Sequence, residues 1–400
     1  MDREDVYDYE YTLRNSLKLI DESERLTPSD KQLLMGFLHH LKAKRVSTGR
    51  LAKYANHLRR LVENLGCPAE SASRGEIEGL SIWIQSQGYA PHTVSDYIFA
   101  LKYFYKFVRY KNTDRETPFP EEVRWLKAAQ KANERKEPAF LTPAEAEALV
   151  RSAGSVRDKC MLAVAFESGM RPSELLQLNV GSLSFDERGV RVRIRRGKTG
   201  ERTVRIIATA SLLARYMETH PFGMSPDSPL WLTEANNHQD MRMSYVAWSR
   251  IIKAAAQRAG ITDRRKMHHY CMRHGAATEM AKFLTDSEMK VRFGWTMASP
   301  MTAVYVHLSA RDIEPKLEQI YSGKPVEPAR PEFVPTVCPK CHERSAPGLD
   351  YCGRCGTPLR QAELAKSGIE EQMLRNELQD VRREIIELVR TGTYRPSQGT

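Results

Sequence analysis

Between Lys266 and Leu308 the chain offers, in order, His268 and His269, Arg273-His274, Gly294-Trp295 and finally Tyr305 within Ala303-Val304-Tyr305-Val306-His307. A phenol held near two arginines invites one chemistry, covalent attack on a phosphodiester. Guanidinium groups would neutralise the charge that builds on the non-bridging oxygens. The second arginine is Arg171, in Ser168-Gly169-Met170-Arg171-Pro172-Ser173-Glu174-Leu175-Leu176. Glycine there permits a tight turn, and the helix that begins at the arginine presents an N-terminus favourable to anions. Taken alone, the same residues read equally as a surface arginine beside a turn. A further cation, Lys198, sits at the tip of a hairpin: Val190, Val192 and Ile194 alternate with Arg191, Arg193 and Arg195, and Gly197-Lys198-Thr199-Gly200 returns the chain to Val204 and Ile206. No carboxylate cluster of the kind a two-metal nuclease needs stands out.

Seven cysteines divide into two groups. Cys67, Cys160 and Cys271 are isolated and read as buried thiols, whereas Cys338, Cys341, Cys352 and Cys355 form two CxxC pairs. Four soft thiolates at this spacing close a tetrahedral site, and they resemble a short zinc ribbon holding structural Zn²⁺ rather than a redox pair. Metal binding would substitute for a core that so small a piece cannot build. His342 is adjacent but surplus.

Four hundred residues suit two or three domains. The formal charge of +11 and pI near 9.2 fit a polyanionic partner, since each lysine or arginine set against a phosphate releases a condensed counterion. No apolar run approaches the roughly 18 residues of a membrane span, and Met1-Asp2-Arg3-Glu4-Asp5 is not a secretory signal, so a cytoplasmic, nucleoid-associated protein is expected.

The elements that must position these residues carry their own start signals. Thr27-Pro28-Ser29-Asp30, Ser73 with Glu76, and Thr142-Pro143 with Glu145 each open a helix, and Ala90-Pro91 begins a long one through Val108. Lys42, Lys44, Arg45, Arg50, Lys53, Arg59, Arg60, Lys102, Lys106, Arg109 and Lys111 would lie on exposed helix faces, able to grip a duplex or simply solvated. The run Tyr103-Phe104-Tyr105-Lys106-Phe107 reads as core. Residues 113–138 read as a linker with a short helical piece around Trp125 to Ala132.

With these boxes in order, residues 141–321 resemble a tyrosine recombinase of the phage-integrase family, Xer-like or archaeal-type, and residues 8–112 match its helical core-binding domain more loosely. The resemblance implies that Arg171 and Arg273 clamp the scissile phosphate, that Lys198 is general acid toward the leaving 5′ oxygen, that Trp295 steadies the phosphate and packs under the tyrosine, and that Tyr305 is the nucleophile. It departs at one place. The family usually has histidine three residues before the second arginine, where this chain has Tyr270; either Tyr270 fills that role or a small shift brings His269 to the phosphate. His274 reads as a buried partner of the phosphate site or as a structural histidine, and Glu174 as a residue that orients arginines or caps a helix.

The expected fold is therefore mainly α with a small antiparallel β-sheet: a helical DNA-binding domain over 1–112, a linker over 113–138, a catalytic domain over 139–322, a proline-rich semi-rigid linker over 323–336, a zinc ribbon over 337–359, and a helix over 360–391. Leu374, Leu378, Val381, Ile385 and Leu388 give that last helix a seam of about two heptads. The function implied is site-specific DNA recombination, integrating or resolving, through a 3′-phosphotyrosine intermediate, with no catalytic metal or nucleotide. The partners implied are double-stranded DNA as recombination sites or a Holliday junction, and other copies of the chain in a tetramer on DNA. A type IB topoisomerase shares the chemistry, and a DNA-binding protein with a degenerate site is the rival from another class.

Overall fold

In the computed structural model, which describes residues 6–127, 138–195, 197, 200–223, 225–234, 241–309 (306–309 as backbone), 317, 320–322, 330–360, 378–379, 381–382 and 385–386, the chain divides into two units, Tyr7–Glu137 and Met1–Val6 with Pro138–Thr400.

The first unit is helical: α1 (Tyr9–Asp21), α2 (Pro28–Ala43), α3 (Thr48–Val62), α4 (Arg74–Ser86), α5 (Pro91–Tyr110) and the single turn α6 (Glu121–Arg124). The start signals act as written. Thr27 Oγ1 accepts from the Asp30 N–H while Asp30 accepts from the Thr27 N–H, and Ser73 with Glu76 closes the same box on α4. Each such cap contributes about 1 kcal/mol. The apolar stripes of α2 and α5 meet in the core, where Phe104 sets its edge on Phe37 at 5.6 Å, so the aromatic run is core. Two expectations change. Lys106 is buried, donating to the Asp114 carbonyl beneath the Phe119 ring, and is no surface cation. The stretch expected to be a linker is packed as far as Leu126, because Val123 and Leu126 join the core; its helical turn follows Pro120 and ends before Trp125. Residues 128–137 lie outside the described residues.

The second unit opens with α7 (Pro143–Arg151), capped by Thr142 and Glu145, and α8 (Val156–Ser168). Helix α8 buries Cys160 through Phe166 without a break, which suits a helix surrounded on all sides. It packs against α7 and against elements that follow: β3, α10 and α12. After α9 (Pro172–Leu176) comes an antiparallel sheet of β1 (Leu183–Asp186), β2 (Gly189–Ile194) and β3 (Arg202–Ile206), in which Val190 pairs with Ile206 and Ile194 with Arg202. The predicted alternation holds on β2, with valines and isoleucine inward and arginines outward. The remaining elements are α10 (Ala210–Glu218), α11 (Tyr245–Arg258), α12 (His269–Met280), α13 (Asp286–Phe293), α14 (Met301–Ser309) and a small ribbon of β4 (Thr336–Val337) with β5 (Arg344–Ser345).

The described part of the segment expected to be a semi-rigid linker is docked. Phe333 packs on Phe166 of α8 with ring centroids 4.8 Å apart, and the Glu332 N–H donates to Glu279 Oε1 on α12 at 2.9 Å. The ribbon beyond it lies on the same unit, with Ser345 and Ala346 buried and Arg151 of α7 donating to Asp350 at 3.1 Å. The expected C-terminal seam falls largely outside the described residues; Leu378, Val381 and Ile385 are exposed. No helix among the described residues is long and apolar enough to cross a membrane.

Candidate active site

Two turns build the centre. At the first, α8 ends at Gly169, whose φ of 58° is left-handed and whose missing Cβ would otherwise lie 2.3 Å from the Phe293 ring. A side chain here would meet both a backbone and a steric penalty. The second turn closes α13 at Phe293-Gly294 and delivers Trp295.

The two arginines grip these turns. Arg273, one turn into α12, donates from Nη1 to the Gly169 carbonyl and from Nη2 to the Phe293 carbonyl, both at 2.6 Å. Arg171, at the start of α9, donates from Nη2 to the very next carbonyl, Gly294, at 2.9 Å, and from Nη1 to Glu174 Oε1 at 2.9 Å. Two guanidiniums thus occupy consecutive carbonyls of one turn. Each carries five N–H donors, so donors remain on both for an incoming anion. Burial first, and then the neighbouring Arg171 charge, lower Arg273 to about 10, so it stays a cation at neutral pH.

Tyr305 on α14 comes to the same place. Its ring lies parallel to Trp295, with centroids 5.5 Å apart, and its hydroxyl lies 2.5 Å from His274 Nδ1. The phenol is only 1% exposed; burial raises it to about 12 against the pull of Arg273, so it is protonated. Burial, with Arg273 and His268, lowers His274 to about 4, so its imidazole is neutral, and in the tautomer with its proton on Nε2 the Nδ1 atom accepts from the hydroxyl. His274 is thereby a partner of the phenol.

The two candidates for the usual histidine separate cleanly. His269 is buried, with Nδ1 accepting from Trp248 Nε1 at 2.9 Å and Nε2 donating to the Met170 carbonyl at 2.7 Å. Nε2 thus holds the turn before Arg171 to α12 and Nδ1 ties α12 to Trp248 of α11, so both ring nitrogens are engaged within the protein. Tyr270 opens on solvent, 43% exposed, with its ring 6.4 Å from that of His274. Glu174 is buried and accepts from Arg171 and from Arg202. Burial alone would raise it, yet the Arg202 and Arg171 bonds outweigh burial and hold it at about 2. Lys198 lies outside the described residues; Gly200 donates to the Gly197 carbonyl at 3.1 Å across that turn. Sequence reading passed over Arg202, and also Trp231 and Arg242, which donate to the C-terminal carbonyls of α9.

The four thiols Cys338, Cys341, Cys352 and Cys355 lie within 4.8 Å of one another, with Cys338 and Cys355 3.5 Å apart and Cys341 and Cys352 3.6 Å apart. Four Zn–S bonds of about 2.3 Å in a tetrahedron set sulfurs about 3.8 Å apart, so the donor set fits that ion. In each knuckle the residue after the second cysteine is left-handed, His342 at φ 59° and Gly356 at φ 70°. His342 thus serves the turn.

Residues 139–311 match the phage integrase family. The tyrosine recombinase XerC of Herpetosiphon aurantiacus is 27% identical over 300 residues, covering 70% of this chain and 91% of that one. Among solved structures, XerH site-specific recombinase bound to a palindromic difH substrate superposes with a TM-score of 0.55 at 16% identity, covering 80% of this chain and 98% of that chain. A lambda integrase tetramer bound to a Holliday junction gives 0.52 at 14%, covering 67% and 78%. These likenesses show the fold, helical with a small antiparallel sheet; the ribbon lies beyond the matched family domain.

Proposed function

With residues 139–311 belonging to the phage integrase family of tyrosine recombinases, we propose that this chain is a site-specific DNA recombinase whose nucleophile is Tyr305. The observation that carries the assignment is the pair of guanidiniums on consecutive carbonyls just before Trp295, the residue stacked on Tyr305. A phosphodiester drawn to the free donors of Arg171 and Arg273 would meet the phenol beside it.

In the first step the Tyr305 oxygen attacks phosphorus and its proton passes to His274 Nδ1. The bond to the 5′ oxygen breaks, and that oxygen takes a proton from Lys198. Product strands are a 3′-phosphotyrosyl end and a free 5′ hydroxyl. In the second step a 5′ hydroxyl from the partner duplex gives its proton to the now neutral Lys198 and attacks the phosphotyrosine, and the phenol leaves with a proton returned from His274. One phosphodiester is exchanged for another, so no nucleotide is consumed. The imidazolium formed in the first step is disfavoured beside Arg273 and favoured beside the phosphate, so the anion itself promotes the transfer. His274 answers the departure at Tyr270, on which a degenerate site would rest.

The lambda integrase tetramer of similar fold supports four copies around two duplexes, and DNA as substrate supports a cytoplasmic, nucleoid-associated site of action. Structural Zn²⁺ would be held by the four clustered cysteines. The test is Tyr305→Phe on nicked suicide duplexes: wild-type protein becomes covalently attached to the 3′ end, and the variant does not. An adduct that persists in the variant overturns the assignment. Sequencing the trapped DNA identifies the target.

A further inference from the structure

We propose that Arg202 is a positioning residue for strand cleavage: it neutralises Glu174 so that the charge of Arg171 remains available to the phosphate. The inference rests on the recombinase reading above and deepens it.

Arg202 opens β3, twenty-eight residues after Glu174, and its guanidinium meets that carboxylate fork to fork, Nη1 to Oε1 and Nη2 to Oε2, both at 2.8 Å. Glu174 Oε1 also takes Arg171 Nη1 at 2.9 Å, and Oε2 takes the Arg171 backbone N–H at 2.8 Å. A carboxylate accepts about four hydrogen bonds, so this one is filled, two from each arginine. The remaining Arg202 nitrogen, Nε, donates to the Arg292 carbonyl at 3.2 Å. Every nitrogen of the side chain therefore has a partner within the protein, and only 9% of the side chain is exposed.

Charge explains why it is there. A buried carboxylate facing Arg171 alone would bind it as a closed pair, and an ion pair with a full counter-charge attracts a third, anionic group weakly. A second guanidinium on the same carboxylate leaves three arginines, Arg171, Arg202 and Arg273, around one glutamate, and the excess positive charge is aimed at whatever anion enters.

Position follows from the same contacts. The Arg202 guanidinium lies against Gly294, where an added Cβ would come within 2.6 Å of Nη1, and beside Gly197, where it would come within 3.4 Å. Gly294 leads directly to Trp295 and accepts from Arg171; Gly197 precedes Lys198. One side chain thus touches the holder of Arg171, the turn that delivers Trp295 and the hairpin that carries Lys198.

The test uses the full-length protein on a nicked duplex bearing the sequence trapped by Tyr305. Arg202→Met is expected to cleave roughly 10- to 100-fold more slowly in a single turnover, with duplex affinity within about 3-fold of wild type. Arg202→Lys, which keeps the charge without the fork, should fall between. The decisive variant is the double replacement Glu174→Gln with Arg202→Met. Removing the carboxylate frees Arg171 again, so the pair should cleave faster than Arg202→Met alone, whereas a merely structural role would make the double variant slower. Inorganic phosphate, titrated by calorimetry, needs no target sequence and should bind in the same order. Wild-type rates in Arg202→Met, or a double variant no better than the single, overturn the inference. If Arg202→Met does not fold, Arg202→Lys and the phosphate titration decide. Failure of wild type to form any adduct would sink the recombinase reading instead.

Discussion

The rings of Trp295 and Tyr305 lie 4° from parallel with centroids 5.5 Å apart, and Phe293 also stacks on the indole at 5.2 Å. Trp295 therefore sets the height and tilt of the phenol as well as contributing buried area. Trp295→Ala should cost about 3–5 kcal/mol of stability and abolish cleavage. Trp295→Phe keeps a ring under Tyr305 and should cost less than half of that while still slowing cleavage, because it loses the indole N–H. Urea denaturation and single-turnover cleavage on the same preparations separate the two; equal stability losses would show that stacking is not what the indole supplies.

His274→Ala removes the acceptor of the Tyr305 proton and should slow covalent attachment by roughly 10²–10⁴-fold, the range expected for loss of a general base. Binding to duplex DNA should change little. Since the deletion leaves space beside the hydroxyl, added imidazole should restore part of the rate in proportion to its neutral fraction. Unchanged attachment in His274→Ala would return His274 to a structural role and direct attention to Tyr270, the exposed neighbour on the same helix.

The arginine and tyrosine boxes were legible because each residue there is set by chemistry and falls in a fixed order, and helix starts were legible because capping is local. What remained hidden depends on contacts distant in sequence. No periodicity announces that Arg202 will meet Glu174, or that Phe333, in a proline-rich stretch, will pack on Phe166. Strand β1 escaped for another reason: three of its four residues are exposed, so no alternation marks it. At His269 and Tyr270 the spacing left two alternatives, and nothing in it announced that the His269 ring would bond Trp248 and the Met170 carbonyl.

His269 also predicts a pH dependence. Burial first, relieved in part by its bond to the Met170 carbonyl, lowers it to about 4 from the 6.5 expected of the unfolded chain. Between those values the unfolded state binds the additional proton, so stability rises with pH. The contribution is complete above pH 6.5 and is lost as pH falls toward 4, on the order of 3 kcal/mol for a ring this buried. Denaturation midpoints of the catalytic unit should fall across that window, and His269→Gln, lower in stability at neutral pH, should show a flatter profile. A slope unchanged in His269→Gln would place the titrating group elsewhere.

Metal removal separates the ribbon from the chemistry. Four thiols within 4.8 Å would repel one another as thiolates without a cation among them, and the small ribbon has little apolar core of its own. It is nevertheless built onto the catalytic unit, through Asp350 on Arg151 and, just before it, Phe333 on Phe166 and Glu332 on Glu279 of α12, the helix that carries Arg273 and His274. Elemental analysis should find one zinc per chain. A chelator under reducing conditions, or Cys352→Ser, should expose residues 330–350 to protease and lower the melting temperature of this unit by several degrees. Cleavage measured well below that temperature should persist, since Arg171, Arg273 and Lys198 carry the charge stabilisation in the proposed steps. Immediate loss of covalent attachment on chelation, with the fold intact, would instead put the metal in the reaction.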